Sequence, residues 1–366
     1  MSQPPATCNG AVFSEVGRPL ELWQFDVPEI GPGAALCKVV MSTICSSDLH
    51  TIHGRRTEPA PLILGHEILG EIAVLGEGLT HDASRQLLRV GDRVSWTIMA
   101  CCGSCFFCTH NLPQKCEHLR KYGHMCCQQW PHLTGGLAEY IYLMPGTGVF
   151  RVPESLPDEI ATPANCALAT AVNAIETIGL QAGENVLIQG AGLLGLNLIA
   201  LCRQAGARRV IVTDINSARL AMAKRFGTNS IVNLAELADE DLLETVSEAT
   251  NGRGVDVAFE VCGKAEAVSL AMKTLRIGGR YLIAGMVSPG QIFSLEGNQV
   301  TRKCLTIKGI HNYRPEHLRR GLEFLQQHAA DYPYGQIVAR TFSLADINDA
   351  VAEASMDKHI RVAIRP

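Results

Sequence analysis

The second half of the chain alternates short apolar runs with helical stretches, and no other feature of the sequence constrains the fold as much. From about residue 181, the runs are VLIQ, VIVT, SIVN, VAFEV, YLIAG and CLTIKG, and segments such as LLGLNLIALCRQAG and SARLAMAKRFG separate them. Strands that alternate with helices in this way form parallel sheets with crossover helices. The pattern therefore predicts an α/β fold with a doubly wound parallel sheet over residues 168–310.

A glycine pattern marks the beginning of this sheet. Gly190, Gly192 and Gly195 form the motif GxGxxG directly after the run VLIQ, and Asp214 stands at the end of the next strand. In this context the glycines permit a tight turn, the approach of backbone amides to a pyrophosphate, and close packing of helix on strand. The acid accepts hydrogen bonds from ribose hydroxyls and opposes a 2′-phosphate, so the motif predicts a dinucleotide site that prefers NAD over NADP.

The first part of the chain has a different composition and a different pattern of apolar residues. Residues 1–167 are rich in glycine, proline and histidine and contain short β-like runs such as ALCKVVM, EILGEIAVL and DRVSW, which predict a mostly β domain. Residues 311–366 hold two helix candidates, RPEHLRRGLEFLQQH and LADINDAVAEAS, and a final strand HIRVAIRP. This tail is too short for another domain, and we expect it to pack back on the first one.

Four cysteines lie close together in the run CCGSCFFCTHNLPQKC. Cys102, Cys105, Cys108 and Cys116 are separated by two, two and seven residues, and Gly103 permits the turn between the first pair. Such spacing lets four thiolates converge on one ion at about 2.3 Å, which predicts a structural zinc site in a lobe over residues 101–117. Disulfides would need an oxidising compartment, and the residues after Met1 do not resemble a secretory signal peptide.

Composition narrows the class of partner. The 366 residues are 47% hydrophobic and 19% charged, with a formal net charge of −4, so neither nucleic acid nor an anionic membrane surface is expected to bind. No apolar stretch is long enough to span a membrane. The fourteen cysteines fit a reducing cytoplasm, where Cys8, Cys37, Cys202, Cys262 and Cys304 are expected to be inert core residues. We therefore expect a cytoplasmic protein with a small-molecule ligand.

Three further residues of metal-binding type stand in short motifs of the first domain. They are Cys45 in ICSSDLH, His66 in LGHEILGE and Cys166 in PANCALATA. With the four-cysteine lobe, the glycine motif and the acid in the same order, the chain resembles zinc-dependent members of the medium-chain dehydrogenase/reductase superfamily from about residue 10 to residue 361. The resemblance implies a GroES-like catalytic domain beside a Rossmann domain, NAD-dependent alcohol oxidation, and two zinc ions per chain. It makes Cys45, His66 and Cys166 the ligands of the catalytic zinc.

The resemblance also implies roles for residues around that zinc. Ser47 matches the hydroxyl that hydrogen-bonds the substrate oxygen, and His50 matches the histidine that relays the proton to solvent, although an exposed loop histidine is the alternative. Asp48 is implied to lie behind His66, and Glu67 beside the metal. Two thiolates and one imidazole leave a zinc centre neutral, with one open position for an alcohol oxygen.

Further cofactor contacts follow from the resemblance. Thr170 and Leu194 match residues that hold the nicotinamide, and Arg361 matches a residue at the pyrophosphate, with a surface arginine as the alternative. Arg219 follows Asp214 closely and is placed among the cofactor-binding residues, with a solvated charge as the alternative. The resemblance further implies a homodimer or homotetramer formed through an edge strand of the cofactor domain.

The substrate is the least determined feature. The segment GRRTEPAPLILGHE and a lengthened loop before GDRV resemble a subgroup that includes phosphonate-catabolism-associated and hydroxycamphor-type alcohol dehydrogenases. Arg55 and Arg56 could bind a phosphonate or carboxylate, or could be solvated, and Trp96 and Ile98 are candidates for an apolar pocket wall. A hydroxyalkylphosphonate or other anionic alcohol is thus one hypothesis, and a bulky neutral alcohol of terpene or polyol type is the other.

Two other classes of protein share part of this pattern. A zinc-free reductase of the same superfamily would lack the zinc ligands that this chain has. A redox sensor that binds zinc and NAD without turnover would use Cys101, Cys126 and Cys127 as reactive thiols. Nothing in the sequence indicates a loss of catalysis.

Overall fold

The structure of the chain, a computed structural model, describes residues 4–366, and these fold into two compact units. The first unit comprises the chain up to Ala169 together with Arg314–Ala330 and Tyr334–Pro366. The second comprises Thr170–Tyr313 and Asp331–Pro333. The changes of unit fall close to residues 167 and 310, where the sequence pattern changes, and most of the tail belongs to the first unit.

The first unit begins with short strands and a few short helices. In chain order these are β1 (Thr7–Phe13), β2 (Glu21–Asp26), β3 (Ala35–Thr43), α1 (Ser46–Ile52), β4 (Leu62–Ile63), β5 (Glu67–Leu75), β6 (Arg93–Ala100), α2 (Phe106–Thr109), β7 (Arg120–Lys121), β8 (Tyr140–Leu143), β9 (Thr147–Arg151) and α3 (Asp158–Ala161). A 3₁₀ turn over Thr162–Asn165 then leads to α4 (Ala167–Ile178), in which the chain passes to the second unit.

The second unit alternates strands and helices as the apolar runs predict. Its elements are β10 (Asn185–Gln189), α5 (Leu193–Gln204), β11 (Arg209–Asp214), α6 (Ser217–Arg225), β12 (Ser230–Asn233), α7 (Asp239–Thr250), β13 (Val255–Glu260), α8 (Ala265–Thr274), β14 (Leu275–Ile283), α9 (Gly297–Arg302) and β15 (Thr306–Gly309). The strands form a six-stranded sheet in the order β12-β11-β10-β13-β14-β15, and every pair is parallel. The predicted α/β fold with a Rossmann sheet is thereby confirmed.

The tail completes the first unit with α10 (Pro315–His328), β16 (Val338–Ser343), α11 (Ile347–Ser355) and β17 (Arg361–Arg365). Strand β17 pairs with β3 through Ala363 and Thr43, within a sheet of order β16-β17-β3-β5-β6-β7. Val362 and Ile364 join a buried core with Leu62 and Ile63 of β4. The last strand therefore closes the β domain and carries its first residue, Arg361, into the interior.

The pairing of β3 with β5 joins two of the sequence motifs. The two strands are antiparallel, and their register sets Thr43 opposite Glu67. Cys45 lies two residues beyond the end of β3, and His66 lies one residue before the start of β5. Because the ends of paired strands lie side by side, this register brings the motifs ICSSDLH and GHE together.

The glycine loop has the geometry that its motif predicts. Gly190 follows β10 with φ of +117°, a conformation that a residue with a side chain rarely adopts. A Cβ atom at Gly195 would lie 1.9 Å from the carbonyl oxygen of Gly190, whereas a Cβ at Gly192 would meet nothing within 4 Å. Helix α5 begins directly after Gly192, so its free amides face an open position at the end of the sheet.

All fourteen cysteine thiols are free of disulfides. Cys8, Cys37 and Cys202 are buried, as expected of core residues, but Cys262 and Cys304 are exposed, and their assignment to the core is wrong. The physical reason is that both lie just outside regular elements, after β13 and after α9, where the chain turns at the surface. Among residues 4–366, no helix is long and apolar enough to cross a membrane.

Candidate active site

Four side chains of the first unit converge on one point. Cys45, His66, Glu67 and Cys166 each offer one ligand atom, and these atoms all lie within 4.8 Å of one another. Three separate parts of the chain supply them: the link from β3 to α1, the start of β5, and the 3₁₀ turn before α4. The sequence motifs that predict a catalytic zinc therefore meet in space.

Hydrogen bonds fix the imidazole ligand. Asp48, buried in the first turn of α1, places its Oδ1 atom 3.2 Å from Nδ1 of His66 and accepts the backbone amide of Gly65 on the same oxygen. Its Oδ2 atom accepts the amide of Cys45 at 2.8 Å. One carboxylate thus orients two candidate ligands and leaves Nε2 of His66 directed away from it, which is the usual arrangement behind a metal-bound histidine.

Asn165 performs a similar task for Cys166. Its side-chain amide is buried and donates to the carbonyl oxygens of His66 at 3.1 Å and Trp96 at 3.0 Å. These bonds tie the 3₁₀ turn to the residue before β5 and to the middle of β6, and Cys166 follows the turn directly. Sequence reasoning did not identify Asn165, although its position next to a predicted ligand was a usable signal.

Glu67 is fully buried and paired with Arg361. Nε of Arg361 donates to Oε2 at 2.6 Å, Nη2 donates to Oε1 at 2.7 Å, and Thr43 adds a bond to Oε2 at 2.6 Å. Nη2 of Arg361 also lies 3.5 Å from Sγ of Cys45. Both carboxylate oxygens are therefore engaged, which makes Glu67 a positioning residue rather than a free metal ligand.

This placement revises the interpretation of Arg361. The side chain is only 7% exposed, so its description as a surface arginine is wrong. All three of its nitrogens have protein acceptors, because Nη1 donates to the carbonyl of Ile360. Its predicted contact with the cofactor pyrophosphate stays a prediction, while the contact that the structure gives it is with the acid and thiol of the metal cluster.

The charges of the four-residue cluster favour a bound cation. Burial opposes protonation of His66, but Asp48 and Cys45 outweigh burial and raise its pKa to about 10. A hydrogen bond from Cys166, followed by the charges of Arg361 and His66, holds the pKa of Cys45 well below its ordinary value, although burial acts against this. The buried thiol and carboxylate groups of the cluster thus stabilise positive charge beside them.

The donor set fits zinc. With both thiols ionised, Cys45, Cys166, Glu67 and Asp48 carry four negative charges against the one positive charge of Arg361. Buried charge of that size requires compensation, and a divalent ion supplies two charges at the point where the ligand atoms converge. Two sulfurs and one imidazole nitrogen, supported by a carboxylate behind the imidazole, match the donor set of a three-ligand zinc site with an open position.

Helix α1 carries the two residues of the predicted proton path. Oγ of Ser47 lies 3.3 Å from Nε2 of His66, so the hydroxyl stands where the imidazole faces the candidate metal position. His50 follows three residues later on the same side of the helix and is half-buried. Burial, with help from Arg55, holds the pKa of His50 below its ordinary value.

The four cysteines of the lobe form a second cluster. Cys102, Cys105, Cys108 and Cys116 also bring their sulfurs within 4.8 Å of one another, and Sγ of Cys116 lies 3.5 Å from that of Cys102 and 3.8 Å from that of Cys105. Thiolates at tetrahedral corners about 2.3 Å from zinc stand about 3.8 Å apart. The cluster therefore has the spacing of a closed tetrathiolate site.

Backbone amides in this lobe stabilise the ionised form of its cysteine thiols. Amides of Ser104 and Cys105 lower the pKa of Cys102 to about 6, and the amides of Cys102 and His118 point at Sγ of Cys116 from 3.3 Å. Such N–H···S bonds favour the ionised sulfur that zinc requires. Cys101 stands outside the cluster, with its sulfur 3.8 Å from the carbonyl oxygen of Gly146.

In the second unit, the predicted cofactor residues lie at one end of the parallel sheet. Oδ2 of Asp214 accepts the amide of Ala191 at 2.7 Å, which fastens the carboxylate to the glycine loop, and Oδ1 accepts the amides of Ile215 and Asn216. Leu194 is half-buried in the first turn of α5.

Two further predicted cofactor residues lie on other helices. Arg219 is half-buried in the first turn of α6, and its amide is capped by Asn216 at 3.1 Å. Thr170 lies in α4, one helical turn after Cys166, and is half-buried. The roles of these residues toward NAD remain predictions.

One prediction about substrate-facing residues needs correction, whereas substrate binding by Arg55 or Arg56 stays a hypothesis. Trp96 is fully buried and packs edge-on against the ring of Tyr122 inside the first unit, so it belongs to the core rather than to a pocket wall. Nε of Arg56 forms an ion pair with Oε1 of Glu58 at 2.5 Å, which compensates its charge. Arg55 is exposed.

Sequence reasoning missed a group of polar residues near His66. Oε1 of Glu58 also lies 2.8 Å from Nδ1 of His124, and the ring of His124 packs 5.5 Å from that of His66. Lys121, at the end of β7, accepts the backbone amide of His124 on its carbonyl oxygen at 3.3 Å. The segment RKYGHM carries no recognisable motif, so only the fold reveals this group.

Comparison with known protein families agrees with this geometry. The family described as the alcohol dehydrogenase GroES-like domain matches residues 31–154, and the family described as zinc-binding dehydrogenase matches residues 194–327. An L-threonine 3-dehydrogenase from Francisella philomiragia is 34% identical over 305 residues, which are 79% of this chain and 81% of that protein.

Solved structures give the same result. An alcohol dehydrogenase from Thermotoga maritima superposes with a TM-score of 0.92 at 28% identity, covering 98% of this chain and 99% of the other. A protein from Sinorhizobium meliloti, described as a zinc-binding dehydrogenase and bound to NADP, superposes with a TM-score of 0.86 at 25% identity, covering 99% and 100%. The chain therefore belongs to the zinc-binding alcohol dehydrogenases of the medium-chain dehydrogenase/reductase superfamily, oxidoreductases that use zinc and a nicotinamide cofactor.

Proposed function

We propose that this chain transfers hydride between NAD and an alcohol whose oxygen is held at the Cys45, His66 and Cys166 centre, giving an aldehyde or ketone. The observation that carries the proposal is the convergence of these three ligand types within 4.8 Å, with the Ser47 hydroxyl 3.3 Å from Nε2 of His66. The four-cysteine lobe is proposed to hold the second, structural zinc of each chain.

Zinc bound at this centre supplies Lewis acidity, which lowers the pKa of an alcohol hydroxyl toward neutrality. The residues of the chain do the rest. Ser47 is proposed to accept the hydroxyl proton as it releases its own into a relay, and His50, on the same side of α1, receives the relayed proton and passes it toward solvent. A pKa of His50 held below its ordinary value keeps the ring neutral at neutral pH, which suits it to receive that proton.

The experiment that tests this function replaces Ser47 by Ala. Hydride transfer to NAD should fall by a factor of about 100 or more, the range that general acid–base groups supply, while zinc content and folding stay those of the wild type. Ser46→Ala is the matched control, because Ser46 is exposed and adjacent in the same helix. If the Ser47 variant turned over as fast as its control, the proposed proton path would be wrong.

The preference for NAD over NADP rests on Asp214. Its carboxylate is fastened to the glycine loop by the amide of Ala191, so it cannot swing away to admit a 2′-phosphate without loss of that bond. We expect NADH to bind more tightly than NADPH, and Asp214→Asn to reduce the difference. Tighter binding of NADPH by the wild type would refute the role given to Asp214.

For the substrate we propose an alcohol that carries an anionic group, as a hydroxyalkylphosphonate does. The relative from Francisella philomiragia is named for L-threonine, a secondary alcohol that carries a carboxylate, which supports this class of substrate. A bulky neutral alcohol is the second candidate, favoured by the finding that Arg56 is paired with Glu58 and that Arg55 is exposed. Comparing turnover of 2-hydroxyethylphosphonate with that of 1-propanol and 2,3-butanediol separates the two.

The resemblance to the family supports a proposal about the number of subunits, and the free thiols support one about the cellular compartment. We propose a homodimer or homotetramer that forms through the edge strand β15, whose side chains are mostly exposed in the single chain. A cytoplasmic location agrees with fourteen free thiols. Light scattering on the purified protein measures the subunit number directly.

A further inference from the structure

Lys121 is half-buried, and no carboxylate among the described positions 4–366 forms an ion pair with its ammonium group. No residue in that range forms a hydrogen bond or an ion pair with its side chain, although the side chain is only partly open to solvent. Removing a charge from water without pairing it costs free energy, so proteins rarely retain such a group by chance. An ammonium group left in this state is available to a ligand.

The backbone that holds Lys121 is rigid. Lys121 pairs with Met99 across the β6–β7 ladder, and the amide of Tyr122 donates to the carbonyl of Ile98 at 2.9 Å. Tyr122 is fully buried, and its hydroxyl bonds Thr147 at 2.7 Å and the amide of Met144 at 2.8 Å. The position of the ammonium group is thus set by the core of the first unit rather than by a loose loop.

The backbone beside Lys121 places it near the candidate zinc centre, because the amide of His124 donates to the carbonyl oxygen of Lys121 at 3.3 Å and the ring of His124 packs 5.5 Å from that of His66. The pKa of its ammonium is lowered, first by burial and then by the charge of Arg56, whereas Cys166, Glu58 and Cys45 act in the opposite direction. Charges influence one another in this way only over short distances inside a protein. Both thiol ligands of the centre are therefore within electrostatic reach of the ammonium group.

The neighbouring acid does not satisfy this charge. Oε1 of Glu58 is taken by Nε of Arg56 at 2.5 Å and by Nδ1 of His124 at 2.8 Å. Once a divalent ion neutralises the two thiolates, the surroundings of Lys121 offer less negative charge than they do without the ion. Lys121 is then a cation without a directly paired anion, in the part of the first unit where His124 packs against His66.

We propose that Lys121, rather than Arg55 or Arg56, binds an anionic group of the substrate while the alcohol oxygen occupies the centre formed by Cys45, His66 and Cys166. The ligand chemistry is a carboxylate or phosphonate a few bonds from the carbinol carbon. Because an anchor of this kind presupposes that the alcohol oxygen is held at that centre, the proposal rests on the proposed function.

The test compares Lys121→Met with Lys121→Arg and with the control variant Lys38→Met, in which an exposed lysine of β3 in the same unit is replaced. Three alcohols are oxidised by the zinc-loaded enzyme with NAD: 2-hydroxyethylphosphonate, 3-hydroxybutanoate and neutral 2-butanol. Lys121→Met should raise KM for one or both anionic alcohols about 10- to 100-fold, the range for loss of a charge-assisted bond, and leave kcat/KM for 2-butanol within about twofold. Lys121→Arg should restore most of the loss, and Lys38→Met should leave the kinetics of all three alcohols unchanged.

A binding measurement supplies a readout apart from turnover. Calorimetric titration of the zinc-loaded protein with methylphosphonate and with acetate should show binding of at least one probe, weakened at higher salt and lost in Lys121→Met. A response to phosphonate alone, to carboxylate alone, or to both identifies the source of the anion and supports the proposal in each case. An unchanged KM and unchanged binding of both probes in Lys121→Met would overturn it.

Failure of the proposed hydride-transfer function would give a different experimental result from failure of the role proposed for Lys121. If the zinc-loaded wild type oxidised none of the three alcohols or other alcohols, the hydride-transfer function would fall, whatever Lys121 binds. If the wild type oxidised 2-butanol well and all Lys121 variants matched it on the anionic alcohols, the function would stand and only the role of Lys121 would fall.

Discussion

The ion pair between Glu67 and Arg361 offers a sharp test of how the catalytic centre is held together. Arg361→Met removes the guanidinium and leaves the carboxylate of Glu67 fully buried, with Thr43 as its one remaining side-chain partner among residues 4–366. Breaking a buried pair from one side costs about 3–5 kcal/mol. For a unit of this size each kcal/mol shifts Tm by about 2–4 °C, so the transition of the first unit should fall by about 6–20 °C.

Differential scanning calorimetry of the zinc-loaded protein measures that shift in Tm. Two further variants show whether the shift comes from the broken ion pair. Arg365→Met is the control, because Arg365 lies on the same strand but forms an exposed pair with Asp158 at 3.0 Å, worth less than about 1 kcal/mol. In the double variant Arg361→Met/Glu67→Leu no charge of the pair stays buried, so we expect it to be more stable than Arg361→Met alone. A double variant that is no more stable than Arg361→Met alone would refute the coupling.

The remaining predictions concern one ligand support and one loop. Asp48→Asn removes an acceptor oxygen from a carboxylate that serves Cys45, Gly65 and His66. Chelator competition should therefore show catalytic-site zinc bound about 10- to 100-fold more weakly. An unchanged zinc affinity would contradict the supporting role that we assign to Asp48. Gly195→Ala sets a Cβ 1.9 Å from the oxygen of Gly190 and should abolish NADH binding by distorting the loop, which fluorescence titration would detect. Gly192→Ala meets no atom of the protein within 4 Å and should leave the fold intact, and equal stability of the two variants would count against this geometry.

Much of the fold could be predicted because its signals are local. The alternation of apolar runs and helices specifies a parallel sheet wherever each run is long enough to be a buried strand, and the glycine motif specifies the turn that follows the first of them. The four-cysteine lobe is also local, since all four thiols lie within one short segment and the turn at Gly103 has φ of +74°.

The supports of the catalytic centre could not be predicted in the same way, because they join distant parts of the chain. Glu67 and Arg361 are separated by 294 positions, and only the pairing of β17 with β3 brings them together. Lys121 lies in a segment without a motif, so its burial and its lack of a partner within residues 4–366 become visible only in three dimensions.

Trp96 shows a different limit. An aromatic residue shortly before a metal lobe can face a pocket or the core, and the sequence around it does not decide which. The choice follows from the neighbouring strand, where Gly70 leaves the space that the indole fills: a Cβ there would lie 3.0 Å from the ring. Packing between strands, rather than any property of Trp96 itself, sets its role.

The central claim is that the chain holds two zinc ions with different tasks, and metal analysis of cysteine variants tests it most directly. Elemental mass spectrometry should find two zinc ions per chain in the wild type. Cys166→Ser should keep one zinc and a stable fold but lose hydride transfer to NAD, whereas Cys105→Ser should lose one zinc together with stability of the first unit. A Cys166→Ser protein that retained both zinc ions and oxidised alcohols at the wild-type rate would contradict the account.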